Sequence, residues 1–150
     1  MYFEDLTIGD RWELGDAFFS SEEMREFAER YDPEPFHVDE EWSRQGPFGE
    51  IIASGLLTLG KGRFLDQRHF ARLDANGLVA VSIESLNYLN PVRAGDRVRF
   101  HKECIAKRES RSRPERGLVT FRMIGRNQHD QAVIEFTAIQ MFSRRPAACG

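Results

Sequence analysis

"IIASGLLTLGKGRFLDQRHFARL", residues 51–73, decides how the chain folds. Its apolar residues show no two-residue alternation, and through the first half they fall on nearly every side of a helical wheel. That pattern marks a buried helix rather than a strand. Gly60 and Gly62 lie inside it at a cost of about 1 kcal/mol each relative to alanine, so another backbone or a ligand is expected to come close there. Arg63, Asp66, Gln67 and Arg68 make the second half more polar, and that end is expected to approach solvent.

A buried helix needs apolar partners on most sides, and the residues that follow supply them as strands. "LVAVSIESLNYLNPV" (78–92) puts Val79, Val81 and Ile83 on one face and then Leu86 and Tyr88 on the other, a change of phase that predicts a bulge. "DRVRFHKECIAK" (96–107) alternates through Val98, Phe100, Cys104 and Ala106, and "GLVTFRMIG" (117–125) through Val119, Phe121 and Met123. "AVIEFTAIQMF" (132–142) is the last strand. Turn-like segments, "NPVRAGD", "RESRSRPERG" and "NQHDQ", join them into an antiparallel meander. With "RWELGDAFFS" (11–20) read as a short strand, about five strands curl around one long helix, an α+β arrangement. Ile105, Ile124, Ile139 and Met141 fall on the opposite strand faces, which favours an oligomer, most simply a homodimer.

Upstream, Ser20 with Glu23 has the form of a capping box. Met24, Phe27, Ala28 and Tyr31 then repeat as one buried helical face. "YDPEPFHVD" (31–39) follows. Pro33 and Pro35 disfavour helical backbone at Asp32 and Glu34, so the chain leaves the helix there. Asp39 is placed to start another short helix through "EEWSRQ", which "GPFG" stops.

The 150 residues fit one domain spanning 1–150, and 41% hydrophobic content with twelve Phe is enough for a packed core. A formal charge of −3 gives no general attraction for nucleic acid or an anionic membrane. The first residues contain early acids and no apolar run, so neither a signal peptide nor a membrane span is expected, and the cytoplasm is the expected location. Cys104 and Cys149 are the only cysteines, the second close to the end of the sequence, so no disulfide framework or Cys-rich zinc site is expected and both are expected as free thiols.

Asp32 and His37 are the residue types of general acid–base chemistry, held close on a segment that two prolines stiffen. The competing reading makes Asp32 a turn cap and His37 a packed surface residue. "ASG" (53–55) adds to the first. If Gly55 opens the buried helix, its free N–H faces outward with the positive helix end behind it, an oxyanion site in outline. Ser54 is either the helix cap alone or a hydrogen-bond partner for a reacting group. Asp32, His37 and Asp39 could in principle ligate a metal, but the other histidines stand alone and Asp39 is better placed as a cap, so no metal is expected. Phosphate-binding glycine patterns are absent. The basic run "KRESRSRPER" (107–116) reads as a solvated hairpin loop or, less simply, as a contact for ligand phosphates.

"YDPEPFHVD" resembles the Asp-x-Asn-Pro-x-His signature of the MaoC-like dehydratases, the (R)-specific enoyl-CoA hydratase group of hot-dog folds. "FGEIIASG" is similar to the segment that leads into that family's central helix, and "YLNPVRAGDRV" to its Phe-x-x-Pro-Val-x-x-Gly-Asp strand and turn. The resemblance covers nearly the whole chain. It implies a hot-dog fold and a hydro-lyase of fatty acid metabolism that reversibly hydrates a trans-2-enoyl-CoA to the (R)-3-hydroxyacyl thioester. By the same resemblance, Asp32 and His37 are the catalytic pair and Gly55 the donor to the thioester carbonyl, with Ser54 beside it. No cofactor is implied beyond the coenzyme A of the substrate. Glu34 stands where the signature has Asn, bringing a second carboxylate near the pair, and Phe36 replaces a smaller aliphatic. A hot-dog thioesterase and a non-catalytic acyl-thioester binding module are the alternatives.

Overall fold

Ser54 ends an extended segment, and its hydroxyl accepts the N–H of Leu56, so the long apolar stretch begins as a capped helix, α4 (Gly55–Arg72). The computed structural model describes residues 1–73 and 75–147. The second cysteine, Cys149, lies outside the described residues; Cys104 is a buried free thiol whose pKa burial pushes up. Leu57, Thr58, Gly62, Asp66 and Phe70 form the buried face of α4. The helix is not enclosed all round, because Leu56 and Phe64 are exposed. Gly62 is where the Phe100 ring approaches, and a Cβ there would lie 2.5 Å from the ring. Gly60 faces open space, so only one of the two glycines marks a close approach, and the neighbour is a side chain.

Five antiparallel strands form the sheet, in the order β1 (Arg11–Phe18), β3 (Arg97–Glu109), β4 (Arg116–Arg126), β5 (Ala132–Ser143) and β2 (Gly77–Tyr88). This is the hot-dog arrangement expected of the α+β class. Hairpins join β3, β4 and β5, while β1 and β2 take the two edges. Register irregularities, one in β1 and three in β2, bend the edge strands. In β1 the register shifts between Glu13 and Gly15, where Gly15 has φ +111. In β2 it shifts between Glu84 and Asn87, where Ser85 has φ +50, and this is the bulge that the change of apolar phase predicted.

The inward faces follow the alternation. Phe19, Phe100, Phe121, Phe136 and Phe142 are fully buried, each contributing roughly 1.5–3 kcal/mol relative to an exposed ring. Ala106, expected to face inward, is exposed because the β3–β4 register shifts between Cys104 and Ala106. Helix α1 (Ser21–Tyr31) buries Met24 and Ala28, but Tyr31, its last residue, is 66% exposed. Ser20 caps it by accepting the Glu23 N–H, whereas the Glu23 carboxylate pairs with Lys61 on α4 instead of completing the box.

The polar half of α4 reaches solvent at Gln67, Arg68 and Arg72, as expected, but not at Asp66. Asp66 is 1% exposed and so is Lys102, which occupies the inward β3 position between Phe100 and Cys104. The Lys102 ammonium donates to Asp66 Oδ1 at 2.6 Å and to Gln140 Oε1 at 3.1 Å, over the rings of Phe70 and Phe121. Asp66 Oδ2 accepts Gln140 Nε2 at 3.0 Å and the Arg63 guanidinium. Every polar atom of the pair is thus engaged, which is the condition for burying charge.

On the outer sheet face, Ile124, Ile139 and Met141 are half-buried and Ile105 exposed, as the alternation required. They share it with an ion-pair ladder, Arg11–Glu103 at 3.3 Å, Glu103–Arg122 at 3.0 Å and Arg122–Glu135 at 3.9 Å. The continuous exposed apolar strip lies instead along β2, at Leu78, Val79, Val81 and Ile83. Among the described residues, no helix is long and apolar enough to cross a membrane.

Candidate active site

Pro33 keeps Asp32 out of the helical region, so Asp32 ends α1 with non-helical backbone (φ −156, ψ 67) and its N–H still donated to Ala28. Glu34 is extended for the same reason, ahead of Pro35. Pro35 does not prevent helix altogether. It takes the first position of a single turn, α2 (Pro35–Val38), where a proline lacks no needed donor. That turn carries His37 back toward Asp32. Asp39 then caps α3 (Glu40–Gln45) by accepting the Trp42 N–H.

His37 is 6% exposed. Its Nδ1 lies 2.8 Å from the carbonyl oxygen of Ile52, which can only accept, so Nδ1 carries the hydrogen. In the neutral ring Nε2 is therefore an acceptor, and it stands 3.4 Å from Asp32 Oδ2. The same Oδ2 accepts the Ser54 hydroxyl at 2.6 Å. Two acceptors aimed at one point favour a shared donor, a water O–H or a proton passed between them.

Backbone bonds hold residues 51–54 between the two sides of this site, with Ile52 N–H donated to Phe36 and Ala53 N–H to Val92. Arg93 pairs with Glu50 and reaches the Phe48 carbonyl, tying the loop after β2 to the same segment. Gly55 follows as the first residue of α4, and its N–H has no hydrogen-bond partner among the described residues. Asp32, His37 and Gly55 line one cavity of about 670 Å³. Tyr88 closes over Gly55, and burial, followed by the charge of Asp32, raises the phenol pKa.

A Cβ on Gly55 would collide with the Tyr88 ring. Gly55→Ala is therefore expected to destabilise the fold by about 1–3 kcal/mol, as overpacking does. Adding Tyr88→Ala should recover most of the loss in thermal unfolding. Equal losses with and without Tyr88 would show that the ring does not limit this position.

Asp32, His37 and Gly55, singled out in the sequence, thus share the cavity. Ser54 does not line it; it is fully buried, and its hydroxyl is committed to Asp32 and to the Leu56 N–H. The basic run 107–116 contributes nothing to the lining, and Lys107 turns inward to the carbonyls of Phe3 and Leu6. Tyr88 and Thr58 are lining residues to which the sequence assigned no role. Thr58 had a signal, since three positions from Gly55 lies on the same helical face. Among the described residues, no group of three or more His, Cys, Asp or Glu gathers as a metal site would.

Residues 7–126 match the sequence pattern of a family described as the MaoC like domain. Over 104 residues, 69% of this chain, the sequence is 38% identical to a 3-hydroxybutyryl-CoA dehydratase of Methylorubrum extorquens, and the match spans 63% of that relative's length. It is 28% identical to the uncharacterized protein YdeM of Bacillus subtilis, across 90% of this chain and 94% of the relative. Among solved structures, a MaoC-like dehydratase from Rhodospirillum rubrum is 31% identical, with a TM-score of 0.78 over 98% of this chain and 99% of the other.

Proposed function

The chain belongs to the MaoC-like dehydratase family, and on that premise we propose that it reversibly hydrates a trans-2-enoyl-CoA, or a related acyl thioester, to the (R)-3-hydroxyacyl thioester. The observation that carries this reading is the convergence of Asp32 Oδ2 and His37 Nε2, 3.4 Å apart, in the cavity that also holds the unpartnered Gly55 N–H. Family membership supports hydration chemistry on acyl thioesters in general. The substrate, the residue roles and the (R) outcome implied by the family resemblance are our proposal.

In this reading, a water between Asp32 and His37 gives up a proton to the pair as its oxygen bonds to C3. The electrons of the double bond move onto the thioester, and negative charge develops on its oxygen. Gly55 N–H, with the positive end of α4 behind it, stabilises that charge more in the transition state than in the ground state. A proton from the pair then goes to C2, so that one water has been added. Ser54 acts through Asp32, holding the carboxylate in place, and no metal or redox group takes part.

Absorbance of the conjugated enoyl thioester tests the reading. It should fall on adding the protein to a short substrate, with no thiol released. A stable absorbance across enoyl thioesters of several lengths would contradict it.

The active unit is proposed to be a homodimer formed through the exposed apolar strip of β2, an edge strand that would otherwise stay unpaired in water. β2 ends in Tyr88, which lines the cavity, so a partner there would border the site. Sedimentation should give twice the chain mass, and Val81→Lys should shift it toward the monomer. A wild-type monomer at micromolar concentration would contradict the dimer.

A further inference from the structure

The cavity around Asp32, His37 and Gly55 is lined by two carboxylates, Asp32 and Glu34, and by no lysine or arginine. Asp32 is held by Ser54 and faces His37. Glu34 differs from it. Its carboxylate is exposed at the rim and has no hydrogen-bond or ion-pair partner among the described residues. The nearby cation, Arg93, is taken by Glu50 and lies outside the lining. Phe36, Phe48, Ile52, Leu56 and Leu89 make the remaining wall largely apolar. An acyl chain entering this space meets apolar surface and uncompensated negative charge.

We infer that Glu34 is a specificity-determining residue that admits acyl groups with an uncharged distal end and turns away those bearing a second carboxylate. The inference rests on the proposed action on enoyl thioesters and adds the class of acyl group. A like charge in the cavity costs binding of both ground and transition states, so the selection acts on kcat/KM. For charges about 7 Å apart, Coulomb repulsion corresponds to roughly threefold in a water-like medium and roughly fiftyfold at an effective dielectric of about 20. An amide at the same position, as in the family signature, would impose no such discrimination.

The experiment compares crotonyl-CoA, which is uncharged at the distal end, with glutaconyl-CoA, which carries a terminal carboxylate. Glu34→Gln keeps the size and removes the charge. Its ratio of kcat/KM for the carboxylated over the uncharged substrate should exceed the wild-type ratio by roughly three- to fiftyfold. Raising ionic strength should move the wild-type ratio the same way and move that of the variant less, since of the two carboxylates only Asp32 then remains in the cavity, a response that a merely structural role would not give. Calorimetric binding of butyryl-CoA and glutaryl-CoA reads the same selection without turnover. If neither enoyl thioester is hydrated but the binding ratio shifts with Glu34→Gln, charge selection stands and the hydratase reading falls. An unchanged ratio in both turnover and binding overturns the inference.

Discussion

Asp32→Asn lowers kcat for a short trans-2-enoyl thioester by about 10²- to 10⁴-fold, the usual contribution of a positioned acid–base group, while the protein stays folded. Asparagine has nearly the same shape, so the exchange isolates proton acceptance. The hydroxyl of Ser54 still finds an oxygen at the former Oδ2 position, and the cap on α4 persists because Ser54 also accepts the Leu56 N–H. The lost property is the negative charge of the carboxylate facing the imidazole. With the amide oxygen held at that position by Ser54, the atom facing His37 Nε2 is a neutral oxygen that accepts a proton far less readily than the carboxylate it replaces. KM should change little, because the proposed mechanism binds the thioester oxygen from Gly55. Stopped-flow absorbance with enzyme in excess reads the chemical step alone, and wild-type rates in the variant would remove Asp32 from the mechanism.

Lys102→Met is the second large effect, and it falls on stability. Removing one partner of a buried ion pair leaves the other charge uncompensated, at a typical cost of about 3–5 kcal/mol. Here Arg63 and Gln140 still contact Asp66, so we expect the lower end, about 3 kcal/mol, by urea denaturation. The double variant Lys102→Met with Asp66→Leu should recover most of the loss, since apolar groups of similar volume replace such pairs at little cost. Losses that simply add would mean the two groups are not coupled.

The same lysine gives the stability a pH dependence. Burial pulls its ammonium down to about 8, against the Asp66 carboxylate that holds it up. The unfolded chain titrates this group near 10.4, so between the two values it binds more protons than the native state. Stability therefore rises with pH through that window. Wild type should gain on Lys102→Met from about pH 8 toward pH 10, and a constant difference would contradict the depressed value.

This cluster also shows what the pattern of residue types hides. Alternation located β3, β4 and β5 because their inward residues are mostly apolar, and it located the β2 bulge because a register change moves apolar residues to the other face. Lys102 and Asp66 break that code. Each is polar in sequence and core in space, and only the pairing of two segments 36 residues apart makes both burials possible. Exposure of Leu56 and Phe64 was hidden for the converse reason, since apolar composition does not say which side of a helix finds a partner.

At the site, Asp32, His37 and Gly55 were legible because proline restriction and a glycine at a helix start are local effects. The role of Ser54 was not, because the choice between facing the cavity and facing Asp32 depends on a contact across 22 residues. Tyr88 carried no local sign either. Its ring reaches Gly55 only once β2 closes against α4, and the phenol feels Asp32 only there.

Hydration of a short enoyl thioester in water enriched in oxygen-18, followed by mass spectrometry of the product, tests the central claim directly. The account predicts one heavy oxygen on the C3 hydroxyl of an intact thioester, formed by wild type and lost with Asp32→Asn. Label in a free carboxylic acid, with thiol released, would contradict it and place water on the carbonyl carbon instead.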